Sequence, residues 1–385
     1  MSHKKRICCI VGTRPEAIKM APVIQLLSKS DILEPYVLAT GQHTDMLYQA
    51  LGYFDIEPDC DLCVMKDSQS LDYLTSAILL ETGKALDEAK PDAVMVHGDT
   101  TTALGSAMAA FYRKLPIAHV EAGLRSGNIH LPFPEELNRV VVDKISDILF
   151  APTPRARENL LNEGINAEKI VVTGNTVIDA LRLTLQKLSV PSEEKLFAIP
   201  EKTHLLLVTA HRRESWGTPL RNICEAVNEI TSRYSNIWVV FPMHKNPQVR
   251  ETIQEILGKN PRVILCDPLN YPDFVWTMNR SSLILTDSGG VQEEAAALGI
   301  PTLVMRDVTE RPEALECGTA FIVGTSRDKI LEVSIQQLSK MVDKEYNRKK
   351  ERLFNASNPF GSGNASKVIV EVMERYFKGK SKSSY

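Results

Sequence analysis

Short apolar runs rich in β-branched residues alternate with helical patterns along the whole chain. The first half contains the runs RICCIVGT, PYVLAT, DAVMVHGD, IAHVEA and DILFAPT, and IVVTGN forms a transition. After a polar stretch at 183–203 come HLLLVTAH, IWVVFPMH, VILCDP, LILTDSGG and PTLVMRD. Strands at this spacing with helices between them form parallel βαβ units. The pattern therefore predicts an α/β protein.

The two halves of the chain also resemble each other. Each opens with an apolar strand that ends in a basic turn, GTRPE at 12–16 and TAHRRES at 209–215. Each later has a strand that ends in Asp and continues into a helix of small residues, HGDTTTALGSAMAA and TDSGGVQEEAAAL. We expect two doubly wound, Rossmann-like domains, 1–173 and 174–361, facing across a cleft. The spacing of apolar positions in residues 362–378 predicts an amphipathic last helix.

Length, charge and composition narrow the class of protein. The 385 residues are too many for one core and suit two domains. A net charge of -3 and a pI near 6.3 argue against a general attraction to nucleic acid or to an anionic membrane. The apolar run after the basic N-terminus stops at Gly12, too early for a signal peptide, and no run is long enough to span a membrane. We expect a cytoplasmic protein that binds anions only locally.

The seven cysteines do not predict a metal site. Cys8 and Cys9 lie side by side in an apolar strand, as small buried residues do. Cys60 and Cys63 form a CxxC, but no second Cys pair or His pair follows at the spacing of a structural zinc site. We expect no bound metal.

Acidic residues follow two of the predicted strands. Asp99 in VMVHGDTTTALG and Glu121 in IAHVEAGLRSG should meet where the carboxyl ends of parallel strands share one edge of a sheet. Glu135 follows the stiff segment 131–134 and starts a helix that contains Arg139. An acid at a helix start is commonplace, but beside the other two it makes a third carboxylate in one cleft. Clustered carboxylates raise one another's pKa values, so an acid and a base can coexist near neutral pH.

Two segments are candidates for binding an anion. Arg14 and Lys19 would lie near a helix N-terminus, either as an exposed basic turn or as a phosphate site, although GTRPE is no dinucleotide fingerprint. In TDSGGVQEE, the run Ser288, Gly289, Gly290 offers a hydroxyl and unobstructed backbone N–H groups. This run predicts either a pyrophosphate cradle or a tight turn with a capping Ser. Glu294, one turn later, could accept two ribose hydroxyls.

Histidines near strand ends are more often structural than catalytic, and five lie there: His97, His119, His204, His211 and His244. His211 differs because Arg212 and Arg213 follow it at the opening of the second half. A donating His in that setting suits a leaving phosphate.

Seven motifs, in order, resemble one family: GTRPEAIKMAP, VHGDTTTALG, HVEAGLRSG, PFPEELNR, TAHRRES, TDSGGVQEEA and VMRDVTERPEA. They are similar to those of the non-hydrolysing UDP-N-acetylglucosamine 2-epimerases, from Arg6 to about residue 375. The resemblance implies a GT-B fold with the active site between its domains and the last helix returning to the first. It implies interconversion of UDP-GlcNAc and UDP-ManNAc without NAD or metal, by elimination of UDP to 2-acetamidoglucal and re-addition, to supply ManNAc for cell-surface polysaccharide.

The resemblance also implies a role for each motif residue. Asp99, Glu121 and Glu135 would be the acid/base carboxylates, and His211 would assist departure of UDP. The residues implied to bind the substrate are Arg14, Lys19, Arg139, Phe274, Ser288, Gly289, Gly290, Glu294 and Arg311. Of these, Phe274 would stack on uracil and Glu294 would bind the ribose.

Many members of this family bind a second UDP-GlcNAc as an activator. The matching positions here are Gln42, His43, Glu136, Arg212 and His244. This chain departs from the pattern at Ser68, where those members have Arg, and at Asp45, where Gln is common. We therefore expect activation to be weak, absent or differently built.

Three alternative functions stay open at this point. A hydrolysing epimerase would release free ManNAc from the same glycal, and a GT-B glycosyltransferase would need an acceptor groove but not three acids. A non-catalytic sensor of sugar nucleotides would have lost the acids, which are present here. As partners we expect the UDP-sugar and a second copy of the chain in a homodimer, with no nucleic acid and no membrane.

Overall fold

The computed structural model describes residues 4–41, 44–66, 69–212, 215–340 and 358–380. Within these, residues 4–183 and 360–380 form one compact unit, and residues from 184 to 359 form a second. The first unit thus extends past residue 173, the boundary expected from the sequence. The reason is a helix at Thr176–Gln186, in which the Asp179 carboxylate accepts the N–H groups of Ala365 and Ser366 at the start of the last helix.

The first unit contains seven strands and eight helices within the described residues. The strands are β1 (Lys5–Val11), β2 (Leu33–Ala39), β3 (Cys60–Asp61), β4 (Ala93–His97), β5 (Ile117–Val120), β6 (Ile148–Ala151) and β7 (Ile170–Val172). The helices are α1 (Arg14–Leu27), α2 (Thr44–Tyr53), α3 (Leu71–Ala89), α4 (Thr101–Tyr112), α5 (Glu135–Ile145), α6 (Pro154–Asn162), α7 (Thr176–Gln186) and, after the second unit, α14 (Ala365–Lys380). The last helix packs on α1.

The second unit, in its described part, contains six strands and six helices. The strands are β8 (His204–Thr209), β9 (Ile237–Pro242), β10 (Val263–Cys266), β11 (Ser281–Thr286), β12 (Thr302–Val304) and β13 (Ala320–Ile322). The helices are α8 (Thr218–Arg233), α9 (Pro247–Leu257), α10 (Tyr271–Arg280), α11 (Gly289–Leu298), α12 (Pro312–Glu316) and α13 (Arg327–Lys340).

Both sheets are parallel and doubly wound. Their strand orders are β3-β2-β1-β4-β5-β6-β7 and β10-β9-β8-β11-β12-β13. The order reverses between β1 and β4 in the first sheet and between β8 and β11 in the second. The predicted α/β class with two Rossmann-like domains is therefore confirmed. The edge strands β3 and β13 were not predicted, because runs of two and three residues carry no readable pattern.

Buried apolar side chains on the strands and the facing helices form a core in each unit. In the first, Cys8, Ile10 and Val96 on the strands pack with small residues of α4 such as Ala107. In the second, Val208 and Leu285 pack with α8 residues such as Ile223. Strands buried on both faces explain the continuous apolar runs in the sequence. In the part of the chain that the structure describes, no helix has the length and apolarity to cross a membrane.

Local sequence signals set the helix starts next to the site loops. Pro15 lies in the first turn of α1, where its missing N–H is not needed. Glu135 begins α5, and Ser288 is the N-cap of α11. All three starts agree with the sequence-based predictions.

The turn after β5 depends on a glycine that no other residue can replace without strain. Gly123 has φ +84, and a Cβ there would lie 2.2 Å from the carbonyl oxygen of Ala156. Gly127 has φ +80, but a Cβ there would meet nothing within 4 Å. The two positions therefore separate backbone strain from steric overlap.

We predict that Gly127→Ala lowers the free energy of unfolding by about 1–2 kcal/mol, the cost of a left-handed residue with a side chain. Gly123→Ala should lose about 1–3 kcal/mol more, because the Ala156 carbonyl must also move. Urea unfolding of both variants, followed by circular dichroism, measures the difference. Equal losses would contradict the steric argument.

Candidate active site

Three loops of the first unit lie next to each other because they follow β1, β4 and β5, which are neighbours in the sheet. The loop after β1 leads to Arg14, the loop after β4 contains Asp99, and Glu121 directly follows β5. The sequence placed these residues at one edge of the sheet, and the strand order brings their loops together.

Glu121 is held by Lys19 and Asn175 and lies beside His97. Its Oε2 lies 2.5 Å from Lys19 Nζ, accepts a hydrogen bond of 2.6 Å from Asn175 Nδ2, and lies 3.8 Å from His97 Nε2. The side chains of Lys19 and Glu121 are only 9% and 8% exposed. The backbone of Glu121 has φ +69, a conformation that costs energy in any residue but Gly. Strain of this kind often marks functional positions, and here the strained residue carries the carboxylate that contacts Lys19.

Asp99 is the more exposed acid, with 28% of its side chain accessible. Its carboxylate contacts the guanidinium of Arg139, whose Nη1 lies 3.1 Å from Glu136 Oε2. Glu136 is buried and accepts the backbone N–H of Ser126 at 2.9 Å. Arg139, predicted to bind substrate, thus lies between the acid Asp99 and a residue predicted for the activator site.

Glu135, at the start of α5, is the third acid that the sequence predicted for the site. Its Oε2 is buried and makes no hydrogen bond within the described residues. A buried polar atom of this kind costs free energy unless a ligand or water satisfies it. Glu135 therefore remains a candidate for an acid/base or binding role. Within the described residues, no hydrogen bond joins it to Asp99 or Glu121.

His97, one of the histidines that the sequence favoured as structural, lies beside Glu121. Burial lowers the pKa of His97 to about 3, with Lys19 and His119 acting in the same direction and Glu121 opposing them. The ring is therefore neutral at physiological pH. Its Nε2 is buried without a hydrogen bond in the described part of the chain, 3.8 Å from the Glu121 carboxylate.

Glu16 is a site residue that the sequence analysis missed. Its Oε2 accepts Gly12 N–H at 3.0 Å and Thr13 Oγ1 at 2.8 Å, and its Oε1 accepts Thr100 Oγ1 at 2.6 Å. Burial raises the pKa of Glu16 to about 7, against the lowering effect of these hydrogen bonds. The carboxyl ties the loop after β1 to the loop that carries Asp99. Its position in GTRPE, as an acid in a first helical turn, was the available signal.

In the second unit, a buried carboxylate fixes the loop of His211. Asp287 Oδ2 accepts the backbone N–H groups of His211 and Arg212, both at 2.9 Å, and the Ser215 hydroxyl at 3.0 Å. The ring of His244 has its centroid 6.2 Å from that of His211. The structure therefore brings together His211, Arg212 and His244, which the sequence assigned to two different roles.

The N-terminus of α11 offers the features expected of an anion cradle. Ser288 is the N-cap but makes no side-chain capping bond, and Gly289 and Gly290 open the helix. A Cβ on Gly289 would lie 3.8 Å from Arg311 Cζ, so a guanidinium stands beside the helix end. Backbone N–H groups and a nearby cation both favour an anion there.

Ion pairs compensate the cations near this helix end. Arg311 contacts the Glu293 carboxylate, and Arg306 Nη1 lies 2.9 Å from Glu310 Oε2. Burial raises the pKa of Glu310, but hydrogen bonding from Arg306 and the charges of Arg306, Arg212 and Arg311 lower it to about 2. Glu310 is therefore ionised, and Glu310 and Glu293 lie against the guanidinium groups of Arg306 and Arg311.

The two residues predicted to bind the nucleoside are carried by neighbouring elements. Glu294 is buried in α11, and its Oε1 accepts the Tyr271 hydroxyl at 2.9 Å. Tyr271 begins α10, the helix that also carries the half-buried Phe274. This bond joins the helix of the ribose candidate to that of the uracil candidate.

Some predicted residues lie outside the described residues, namely Gln42, His43 and Ser68 of the activator hypothesis. Among the described residues, no group of three or more His, Cys, Asp or Glu side chains is arranged to hold a metal ion. Cys60 and Cys63 are free thiols.

These features define a two-domain α/β protein of Rossmann type, with paired acids and cations in one unit and a helix end suited to anions in the other. The family model for UDP-N-acetylglucosamine 2-epimerase matches residues 25–374. The chain therefore belongs to the UDP-N-acetylglucosamine 2-epimerase family, which confirms the resemblance inferred from the motifs.

Relatives and solved structures agree with this assignment. A UDP-N-acetylglucosamine 2-epimerase of Neisseria meningitidis is 45% identical over 373 residues, 96% of this chain and 99% of the relative. The crystal structure of the N. meningitidis epimerase bound to UDP-GlcNAc has a TM-score of 0.88 and 44% identity, covering 96% of this chain and 100% of that one. The S. aureus MnaA co-structure with UDP has a TM-score of 0.87 and 44% identity, covering 97% of each chain.

Proposed function

We propose that this chain interconverts UDP-GlcNAc and UDP-ManNAc at carbon 2 without net hydrolysis, and so supplies ManNAc units for cell-surface polysaccharide. The observation that carries the proposal is the arrangement in the first unit, where Glu121 is paired with Lys19 and the neighbouring Asp99 with Arg139. Family membership supplies the substrate class, and the paired acids supply the chemistry.

The reaction needs acids and cations together. The hydrogen on carbon 2 is not next to a carbonyl group, so forming a free carbanion there is prohibitive. Positive charge must instead build at carbon 1 while its bond to UDP breaks, and a carboxylate takes the proton as the carbon 1–carbon 2 double bond forms. UDP leaves with the bonding electrons. Carboxylates stabilise the positive charge, and cations stabilise the leaving diphosphate.

The residues divide accordingly between acid/base and binding roles. Asp99, Glu121 and Glu135 exchange the proton on the two faces of carbon 2, and His211 donates to the departing UDP. Ser288, Gly289 and Gly290 at the α11 N-terminus receive the diphosphate, Glu294 the ribose and Phe274 the uracil. Arg14, Lys19, Arg139 and Arg311 hold phosphate or sugar oxygens. No redox step occurs, so the scheme needs no nicotinamide.

A hydrolysing epimerase and a glycosyltransferase remain the competing functions. Both would consume UDP-GlcNAc irreversibly, whereas the proposed reaction reaches the same equilibrium from either sugar nucleotide. The homodimer expected from the sequence is also a proposal, and light scattering of the purified chain tests it. A monomeric mass in solution would contradict it.

We predict that product formed in D2O carries deuterium at carbon 2, because each turnover removes and returns that proton. Traces of 2-acetamidoglucal and UDP should leak from the enzyme, and added NAD should change nothing. A proton NMR time course of UDP-GlcNAc with the pure protein measures all three. Epimerisation with the carbon 2 hydrogen fully retained would rule out elimination, and accumulation of free ManNAc would favour the hydrolysing alternative.

Asp99→Asn, Glu121→Gln and Glu135→Gln should each lower kcat by about two to four orders of magnitude, the usual effect of removing an acid/base group. Glu158→Gln on the exposed face of α6 is the matched control and should keep the wild-type rate. Thermal melting of each variant separates catalysis from folding, since Glu121→Gln leaves the buried Lys19 without its anionic partner. Wild-type turnover in any of the three would remove that residue from the mechanism.

Activation by UDP-GlcNAc should be weak, because Ser68 replaces an Arg that would make a charge-assisted pair with a diphosphate, worth about 1.5–3 kcal/mol. Asp45, on the exposed start of α2, adds repulsion. A reaction started from UDP-ManNAc alone should show no pronounced lag, and Ser68→Arg should introduce one that a trace of UDP-GlcNAc abolishes. A strong lag in the unmodified protein would show that the activator site works without the Arg.

A further inference from the structure

The backbone on both sides of Asp99 is held by buried side chains. The Gly98 carbonyl, in the peptide bond before Asp99, accepts a hydrogen bond of 2.8 Å from His119 Nε2. The Asp99 carbonyl, in the peptide bond after it, accepts one of 2.8 Å from Asn138 Nδ2. His119 is fully buried and Asn138 is 3% exposed. Two peptide planes flanking one acid are thus fixed by two different elements, β5 and α5.

The partners of His119 define its protonation. Its Nδ1 lies 2.7 Å from Asp143 Oδ1, and its Nε2 faces the Gly98 carbonyl. Asp143 Oδ2 lies 2.8 Å from Arg125 Nη2 and accepts the Gly123 N–H. Burial raises the pKa of Asp143, but His119 and Arg125 together lower it below its ordinary value, so the carboxylate is ionised. Because a carboxylate and a carbonyl oxygen can only accept, both ring nitrogens of His119 carry hydrogens.

The charges around His119 balance. Asp143 on α5 is shared between His119 and Arg125, and Arg125 also pairs with Glu163 at 2.6 Å. One imidazolium, one guanidinium and two carboxylates cancel formally, which is the condition under which charges are tolerated in an interior. His97 on β4 also interacts with His119, but its ring is neutral and adds no charge.

We propose that His119 is a positioning residue for Asp99: as an imidazolium it fixes the Gly98 carbonyl, and with Asn138 it holds the Asp99 carboxylate in register with carbon 2 of the sugar. This inference rests on the proposed function, since His119 touches no reacting atom and acts only through Asp99. A charged donor holds a carbonyl more firmly than a neutral one. The contact with Arg139 then orients the Asp99 carboxylate, while His119 and Asn138 hold the backbone on either side of it.

The first experiment compares His119→Gln with the unmodified enzyme. Misplacing a catalytic group by about an ångström lowers the reaction rate by up to about 100-fold. We therefore expect kcat to fall about 10- to 100-fold, while KM for UDP-GlcNAc stays within about threefold of its value in the unmodified enzyme. His204→Gln is the control, because the His204 ring also contacts a polar side chain, Ser282, but lies at the start of β8 in the second unit. It should leave both constants unchanged.

The decisive comparison repeats His119→Gln in the Asp99→Asn background. If His119 acts through Asp99, the second substitution should cost less than about threefold there, because the two residues act as a unit. The same fold-loss in both backgrounds would show a general structural effect and overturn the inference. Wild-type activity in Asp99→Asn alone would instead overturn the catalytic role of Asp99, and with it any positioning role.

Asn138→Ala provides the same test from the other side of Asp99. It should lower kcat in the unmodified background and have little further effect in Asp99→Asn, so the inference stays testable if His119→Gln does not fold. Additive losses for Asn138→Ala would count against the inference in the same way.

The charge of His119 is tested without any activity. In the full-length protein labelled with 15N-histidine, at about pH 8 where an ordinary His is neutral, His119 should show protons on both ring nitrogens. The signal should vanish in His119→Gln and persist in His204→Gln. A ring with one bare nitrogen would overturn the assignment of a charged His119.

Discussion

Parallel strand pairing is the constraint on which the site in each unit depends. It directs the carboxyl ends of β1, β4 and β5 to one edge, so the loops that follow them must share that edge. The strand order reverses between β1 and β4, and this separates the helices that follow these strands. Lys19 on the first of those helices can therefore meet Glu121, which follows β5 more than a hundred positions later in the chain.

The titratable groups that gather at this edge are largely buried, and each has a different set of partners. Glu121 has a cation and an amide, Glu16 has three donors from two loops, and His119 has an ionised partner. Burial without such partners would force neutralisation. His97 shows that outcome, since the cost of burying a charged ring outweighs the attraction of the Glu121 carboxylate 3.8 Å away. The edge thus holds charged and neutral groups within a short distance, which the proton transfer that we propose for the two faces of carbon 2 requires.

The sequence predicted those site residues whose positions depend only on one strand or helix start and the residues next to it. Asp99 and Glu121 were found because each ends an apolar run, and Glu135 because a stiff proline segment precedes a helix. Asn175 was not found, since its hydrogen bond to Glu121 depends on where α7 begins relative to β5. His119 was interpreted as structural because nothing in IAHVEA shows that Asp143, on a helix further along, faces its ring. Side-chain partners from distant elements are set by packing, which a local pattern does not encode.

The similar motifs in the two halves of the chain show the same limit of prediction from a local sequence pattern. Asp99 follows β4, which pairs with β1, and Asp287 follows β11, which pairs with β8. The two residues therefore lie at corresponding positions in the two sheets. Asp99 keeps its carboxylate partly exposed beside Arg139, while other side chains hold its backbone. Asp287 is fully buried and uses its own carboxylate to hold the backbone of His211 and Arg212. One acid is positioned and the other does the positioning. The same motif therefore takes opposite roles, and the difference lies in which neighbours supply the donors.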